Sequence, residues 1–98
     1  MNELIQTIFD HVYNSGDLPE YKGDSATINL SDEFLEYWVE GICIATMTSL
    51  VTEDGATWAE YRFSFTIDKL DVKDADGEWH ELPKSQRFEL QTQLNKSK

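Results

Sequence analysis

Residues 37–71 read YWVEGICIATMTSLVTEDGATWAEYRFSFTIDKLD, and they carry the strongest structural signal in the chain. Asp54-Gly55 stands at their centre. A two-residue type I′ turn needs positive φ at both positions, which this dipeptide adopts at low cost. The flanking residues are rich in β-branched and aromatic types, the composition of strands. A β-hairpin with strands 37–53 and 56–71 is therefore expected.

Centred on that turn, paired positions sum to 109. One face then receives Leu50/Ala59, Thr48/Tyr61, Thr46/Phe63, Ile44/Phe65 and Ile42/Ile67, and ends in Glu40/Lys69. The other receives Ser49/Glu60, Met47/Arg62, Ala45/Ser64, Cys43/Thr66 and Gly41/Asp68. The first set is apolar and the second mostly polar, and a slip of one residue would exchange the faces of one strand. Ile42, Ile44, Phe63, Phe65 and Ile67 are the expected core, each contributing about 1.5–3 kcal/mol on burial. Leu70 and Val72 fall in the opposite phase from Ile67, so a bulge or twist is expected near Asp68.

A hairpin alone is marginal and needs a cover. Two helices can supply it. Leu4, Ile5, Ile8, Phe9 and Val12 form one stripe of a 3.6-residue period over residues 2–13, and Asn14-Ser15-Gly16 ends it. Pro83 opens a C-terminal helix whose apolar side is Phe88, Leu90 and Leu94, with Lys96 and Lys98 at its C-terminal end. Ala26, Ile28 and Leu30 alternate with polar residues as a short strand. Asp74-Ala75-Asp76-Gly77 turns the chain into another around Glu78 to Leu82, with Val72 opposite Trp79. Residues 32–40 fit two readings. Phe34, Leu35, Trp38, Val39 and Ile42 make a helical stripe behind Ser31 as N-cap, whereas the β-branched and aromatic residues from Tyr37 favour strand, the reading adopted here.

The expected class is α+β: a small single-layer antiparallel sheet of about three or four strands packed on N- and C-terminal helices, in the order α-β-β-β-β-α. At 98 residues, positions 1–98 make a single domain. The net charge is −11, yet 40% of residues are hydrophobic and 12% aromatic, too apolar a balance for a disordered chain. Residues 1–83 hold 18 Asp/Glu against 4 Lys/Arg. Such a field repels phosphate backbones, so direct nucleic-acid binding is not expected, while a basic protein partner is compatible. No apolar run approaches the ~20 residues that span a bilayer. Met1-Asn2-Glu3 lacks the basic start of a secretory signal, and the single cysteine, Cys43, fits a reducing compartment. A cytoplasmic location away from membranes is the expectation.

The chemistry-bearing residues do not form a recognisable site in the sequence. Asp74-x-Asp76-Gly77 fits the middle of a calcium loop, but positions one and twelve would be Val72 and Pro83. His11 and His80 have no metal-ligand spacing. Cys43 lacks a base or a positive neighbourhood, and Glu36/Glu40 or Asp71/Asp74 are chance pairings of abundant carboxylates. No enzyme, cofactor or metal is expected. The leading expectation is a small acidic, non-enzymatic protein-interaction module, with a protein partner or self-association. Trp58, Glu60, Arg62, Met47 and Trp79 form its expected partner surface, because tryptophan and arginine are enriched at protein contacts. The alternative is an acidic decoy, of the kind encoded by phages and mobile elements, that mimics nucleic-acid charge to inhibit a basic protein. A small ligand-binding protein or enzyme stands third, and would require a pocket with convergent polar groups.

Overall fold

The Asp54-Gly55 turn forms as its residues require, with φ of 52° and 81°. On either side, β3 (Tyr37–Glu53) and β4 (Ala56–Lys73) pair antiparallel. This computed structural model describes residues 2–96. Its other elements are α1 (Asn2–Tyr13), β1 (Ser25–Asn29), β2 (Asp32–Phe34), β5 (Trp79–Glu81) and α2 (Lys84–Lys96). The expectation for Lys98 lies outside the described residues. The sheet order is β1-β3-β4-β5, with β2 also paired to β3. The α+β class with terminal helices and an antiparallel sheet is as expected, but the sheet has five strands rather than three or four.

The added strand is β2, and it resolves the fork at residues 32–40 as strand rather than helix. Phe34 pairs with Tyr37 around Leu35-Glu36, and Leu35 takes a φ of 55°. That conformation cannot continue a right-handed helix. At the far side, the pairing across the second turn is Val72 with His80 and Lys73 with Trp79, one residue from the expected Val72/Trp79.

The register of β3 on β4 is the main correction. Pairs from Ser49↔Glu60 to Glu53↔Ala56 and from Tyr37↔Val72 to Glu40↔Lys69 follow the expected sum. Between them, from Gly41↔Ile67 to Met47↔Tyr61, the strands are displaced by one residue. Two bulges bound the displaced section, and they offset each other: Thr48 is the extra residue in β3 and Asp68 in β4. The Asp68 bulge was expected and the Thr48 bulge was not. Within the section the facing residues of β3 are exchanged. Cys43 (0% exposed), Ala45 and Met47 (3%) join Phe65 and Ile67 in the core. Ile42 and Ile44, expected there, are 37% and 40% exposed on the opposite face.

Side-chain volume accounts for the exchange. Gly41, Cys43 and Ala45 are small and stand opposite Ile67, Phe65 and Phe63. Small residues facing large ones let a layer fill without strain. Phe9 of α1 reaches down to Phe65 and Phe63, edge to face at 5.2 and 5.9 Å. At Gly41 the strands approach so closely that a β-carbon would overlap the Thr66 carbonyl oxygen and press on Ile67. Leu4, Ile5, Ile8 and Val12 of α1 and Leu90 and Leu94 of α2 complete the same core. Phe88, expected with them, is 64% exposed.

The helix α2 has a second task, which its polar residues perform. Asn95 receives the Phe65 N–H (2.8 Å) and donates to the Phe65 carbonyl. Gln91 receives the Ile67 N–H (2.9 Å), and Arg87 donates to the carbonyl of the bulged Asp68 (2.6 Å). Residues 87, 91 and 95 share one helical face. They satisfy backbone groups along β4 that no strand covers, which blocks edge-to-edge association there.

Two features set the surface that is left open. Both helices pack into the core on one side of the sheet, so its other face is uncovered. Beyond the Met47↔Tyr61 pair no hairpin residue is buried, and the ribbon runs on as an arm of about 20 Å at the usual strand rise. The molecule measures 52 × 20 × 19 Å. The register makes a direct prediction. Phe65→Ala should cost about 3–5 kcal/mol, whereas Ile44→Ser, on the uncovered face, should stay within about 0.5 kcal/mol. Denaturant melts of the two variants check this, and equal losses would refute the register.

Candidate functional site

The uncovered face is assembled by strand alternation. Arg62, Ser64 and Thr66 of β4 lie beside Thr46, Ile44 and Ile42 of β3, which lie beside Ser25, Thr27 and Asn29 of β1. Glu60 and Trp58 continue the row onto the arm, opposite Ser49 and Val51. At the other end, beyond the Asp68 bulge, Lys69, Asp71 and Lys73 carry the row on, and Trp79 stands opposite Lys73. Trp58, Glu60, Arg62 and Trp79 of the expected partner surface therefore share one face. Met47 does not: the Thr48 bulge keeps it in the inward phase, and it is core. Ile42, Ile44 and Trp38 take part in this face instead. The signal for them was the small-residue phase of Gly41, Cys43 and Ala45, which marks its own side of β3 as the one beneath the helices and leaves Ile42 and Ile44 on the other.

The face between the tryptophans is nearly neutral. The nine positions from Ser25 to Thr66 named above hold Arg62 as their single charge. The acidic groups concentrate farther along. Residues 32–40 and 68–81, at the end away from the Asp54-Gly55 turn, hold ten Asp/Glu against Lys69 and Lys73.

One group of potential cation ligands occurs among the described residues. Ligand atoms of Asp74, Glu78 and His80 lie within 4.8 Å of one another. The group is largely built from the turn's own bonding. Asp74 Oδ1 accepts the N–H groups of Asp76 and Glu78, both at 2.9 Å, and Oδ2 meets His80 Nε2 at 2.5 Å. The His80 hydrogen bond, followed by the Glu78 N–H, holds the Asp74 carboxyl below its usual range. Gly77 supplies the positive φ, 84°, that closes the turn. His11 of α1, beside β2, donates to the Asn29 carbonyl (3.0 Å) and meets Phe34 edge to face.

A groove of about 390 Å³ lies between α1 and β4, lined by Asn2, Ile5, Gln6, Phe9, Tyr13, Tyr61 and Phe63. It is aromatic and open, and no carboxylate, histidine or cysteine lines it. Its walls mix aromatic rings with the amides of Asn2 and Gln6 and the tyrosine hydroxyls, and none of these groups is an acid, a base or a nucleophile at neutral pH. Cys43 is buried and free. Burial pushes its thiol up to about 11, against a smaller opposing effect of a backbone hydrogen bond with Ser64. A thiol is a nucleophile only as the thiolate, so Cys43 acts as a small apolar filler beneath Phe65.

Two measurements follow from these environments. In the folded protein, Cys43 should resist a disulfide reagent at pH 8 and react fully once denaturant unfolds the chain. Rapid reaction of the native protein would contradict its burial. A carboxyl held low by folding contributes stability above its unfolded pKa, about 3.9, and loses that contribution as pH falls through the folded value. Asp74→Asn should therefore lower the melting temperature at pH 6, and the gap from wild type should close as the pH falls below 4. A gap of the same size at pH 3 and pH 6 would contradict the assignment. Among the described residues, no helix is long and apolar enough to cross a membrane. Comparison of the chain with protein-family models, with curated proteins and with solved structures finds no match.

Proposed function

We propose that the chain is a non-enzymatic cytoplasmic interaction module that engages a protein, or a second copy of itself, through the uncovered sheet face and its arm. One observation carries this reading. A single face presents Trp58, Ile44, Ile42 and Trp79 to solvent, all more than a third exposed, along a sheet whose other side is covered by helices everywhere but on the arm. Exposed apolar surface of this kind, rimmed by polar groups, marks contact surfaces. The neutral stretch lets a partner approach despite the charge of −11, and Trp58 and Arg62 are residue types that anchor interfaces.

A specific observation supports the second reading, the acidic decoy. Ten carboxylates at one end make a strongly negative pole suited to a basic protein. The two readings predict different responses. For the module, immobilised wild-type chain captures a partner, or runs as a dimer in a solution mass measurement. The double variant Trp58→Ser/Ile44→Ser should lose either property while keeping its melting temperature. Capture that ignores this double variant but collapses as salt rises would favour the decoy, since exposed charges are screened beyond a Debye length of about 8 Å at physiological salt. A monomer that captures the same proteins in both forms, at low and high salt, would sink both.

A further inference from the structure

At the acidic end of the uncovered face, the register sets out a small lattice of side chains. Trp38, Asp71 and Glu81 stand directly across β3, β4 and β5. Glu40 is opposite Lys69, and Trp79 opposite Lys73. Asp71 occupies the centre. It is the one charged residue buried among those described, at 8% exposed, although no helix covers this face. Its Oδ1 is buried without a hydrogen-bond partner. An ionised carboxylate oxygen in that state has lost its water and received no donor in exchange, which is costly.

The surroundings attract cations and leave this oxygen unsatisfied. Lys69 Nζ stands between Glu40 and Asp71, at 3.8 Å from Glu40 Oε2 and 3.6 Å from Asp71 Oδ2, too far to donate a hydrogen bond to either. The Lys73 ammonium sits over the Trp79 ring, 5.1 Å from its centre. Trp38 and Trp79 meet edge to face at 6.4 Å, and Trp38 directs its indole N–H to Glu40. The chain's own ammonium groups thus mark an aromatic face and a carboxylate cluster as cation-seeking, yet as point charges they do not supply the missing donor.

We propose that the Trp38–Asp71–Trp79 corner, with Glu40 and Glu81 beside it, is a recognition site for an arginine side chain of a basic protein partner. The inference rests on the interaction-module reading and specifies its partner's chemistry. A guanidinium is planar and stacks on an indole ring, and it presents several donors in one plane. Stacked on Trp79 in place of Lys73, it donates to Asp71 and to Glu81 at once, a paired geometry that an ammonium cannot reproduce. Entry requires Lys69 and Lys73 to swing aside. Both are exposed, and their pairs with Glu40 and Glu33 are of the surface kind, which contribute little; the contact of Lys69 with the largely buried Asp71 is the one that the guanidinium replaces.

The test uses the full chain carrying Trp58→Phe, so that Trp38 and Trp79 are its fluorophores. The probes are hexa-arginine and hexa-lysine peptides of equal charge. Hexa-arginine should change the tryptophan emission and bind ~10-fold more tightly than hexa-lysine, the difference expected of stacking and planar donation. Asp71→Asn should abolish that preference. Glu53→Gln/Asp54→Asn, which removes charge at the arm tip, should leave it intact. Trp79→Leu, at an exposed position, should also abolish it, with Trp38 still reporting, and carries the test if Asp71→Asn unfolds. Equal binding of the two peptides would overturn the proposal. So would an arginine preference that survives both Asp71→Asn and Trp79→Leu, or one that the arm-tip variant reduces as much as Asp71→Asn. A partner captured through Trp58 and Ile44 with no arginine preference at the corner would overturn this site while leaving the interaction module standing.

Discussion

The pairing of β3 with β4 governs this molecule, because both strands are long and every other element rests on them. Two bulges divide the ladder into three parts. Thr48 adds a residue to β3 and Asp68 adds one to β4, so the register departs by one residue and then returns. Each bulge reverses which side chains face inward on its own strand. Their combined effect sends Val39, Cys43, Ala45 and Met47 inward along β3, and Phe65, Ile67 and Leu70 along β4. The core under α1 and α2 follows from that selection, and the composition of the uncovered face follows from its complement.

The bulges also stand where the structure changes character. Thr48 lies at the point where the hairpin leaves the body, and its hydroxyl donates to the Glu60 carbonyl across the ribbon (3.2 Å). Asp68 lies where the sheet enters its acidic end, and Arg87 of α2 holds its carbonyl. The helix α2 is thus tied to the strand edge by polar side chains as well as to the core by Leu90 and Leu94. This explains a helix with little apolar character of its own. Its Arg87, Gln91 and Asn95 stripe serves an edge rather than the solvent.

The surface that remains has three zones along one long axis: an arm with Trp58, a neutral middle with Ile42 and Ile44, and an acidic corner around Asp71. Much of this was legible. Trp58, Glu60, Arg62 and Trp79 were readable as surface residues from their positions beside the turns and in the polar phase of β4, which the structure keeps. Met47 was misassigned, and Ile42 and Ile44 with it, because hydrophobicity alone favours the larger residues for a core. The competing consideration was volume. Two helices lie over the sheet, and the glycine, cysteine and alanine of β3 leave room for the aromatic residues of β4. The Asp71 corner was not legible at all. It depends on three strands, one of them only three residues long, meeting in one register.

Local chemistry determined the turn at Asp54-Gly55, the two terminal helices, the strand character of residues 37–73 and the Asp68 bulge. Each rests on residues close in the chain: a dipeptide that tolerates positive φ, an apolar period of 3.6, an enrichment in β-branched and aromatic types, a reversal of phase. Tertiary structure alone decided the Thr48 bulge, the strand at Asp32–Phe34, the polar clasp of α2 on β4 and the identity of the exposed face. These depend on how volumes fit between layers and on which backbone groups find partners across the fold. Neither quantity exists until the layers meet.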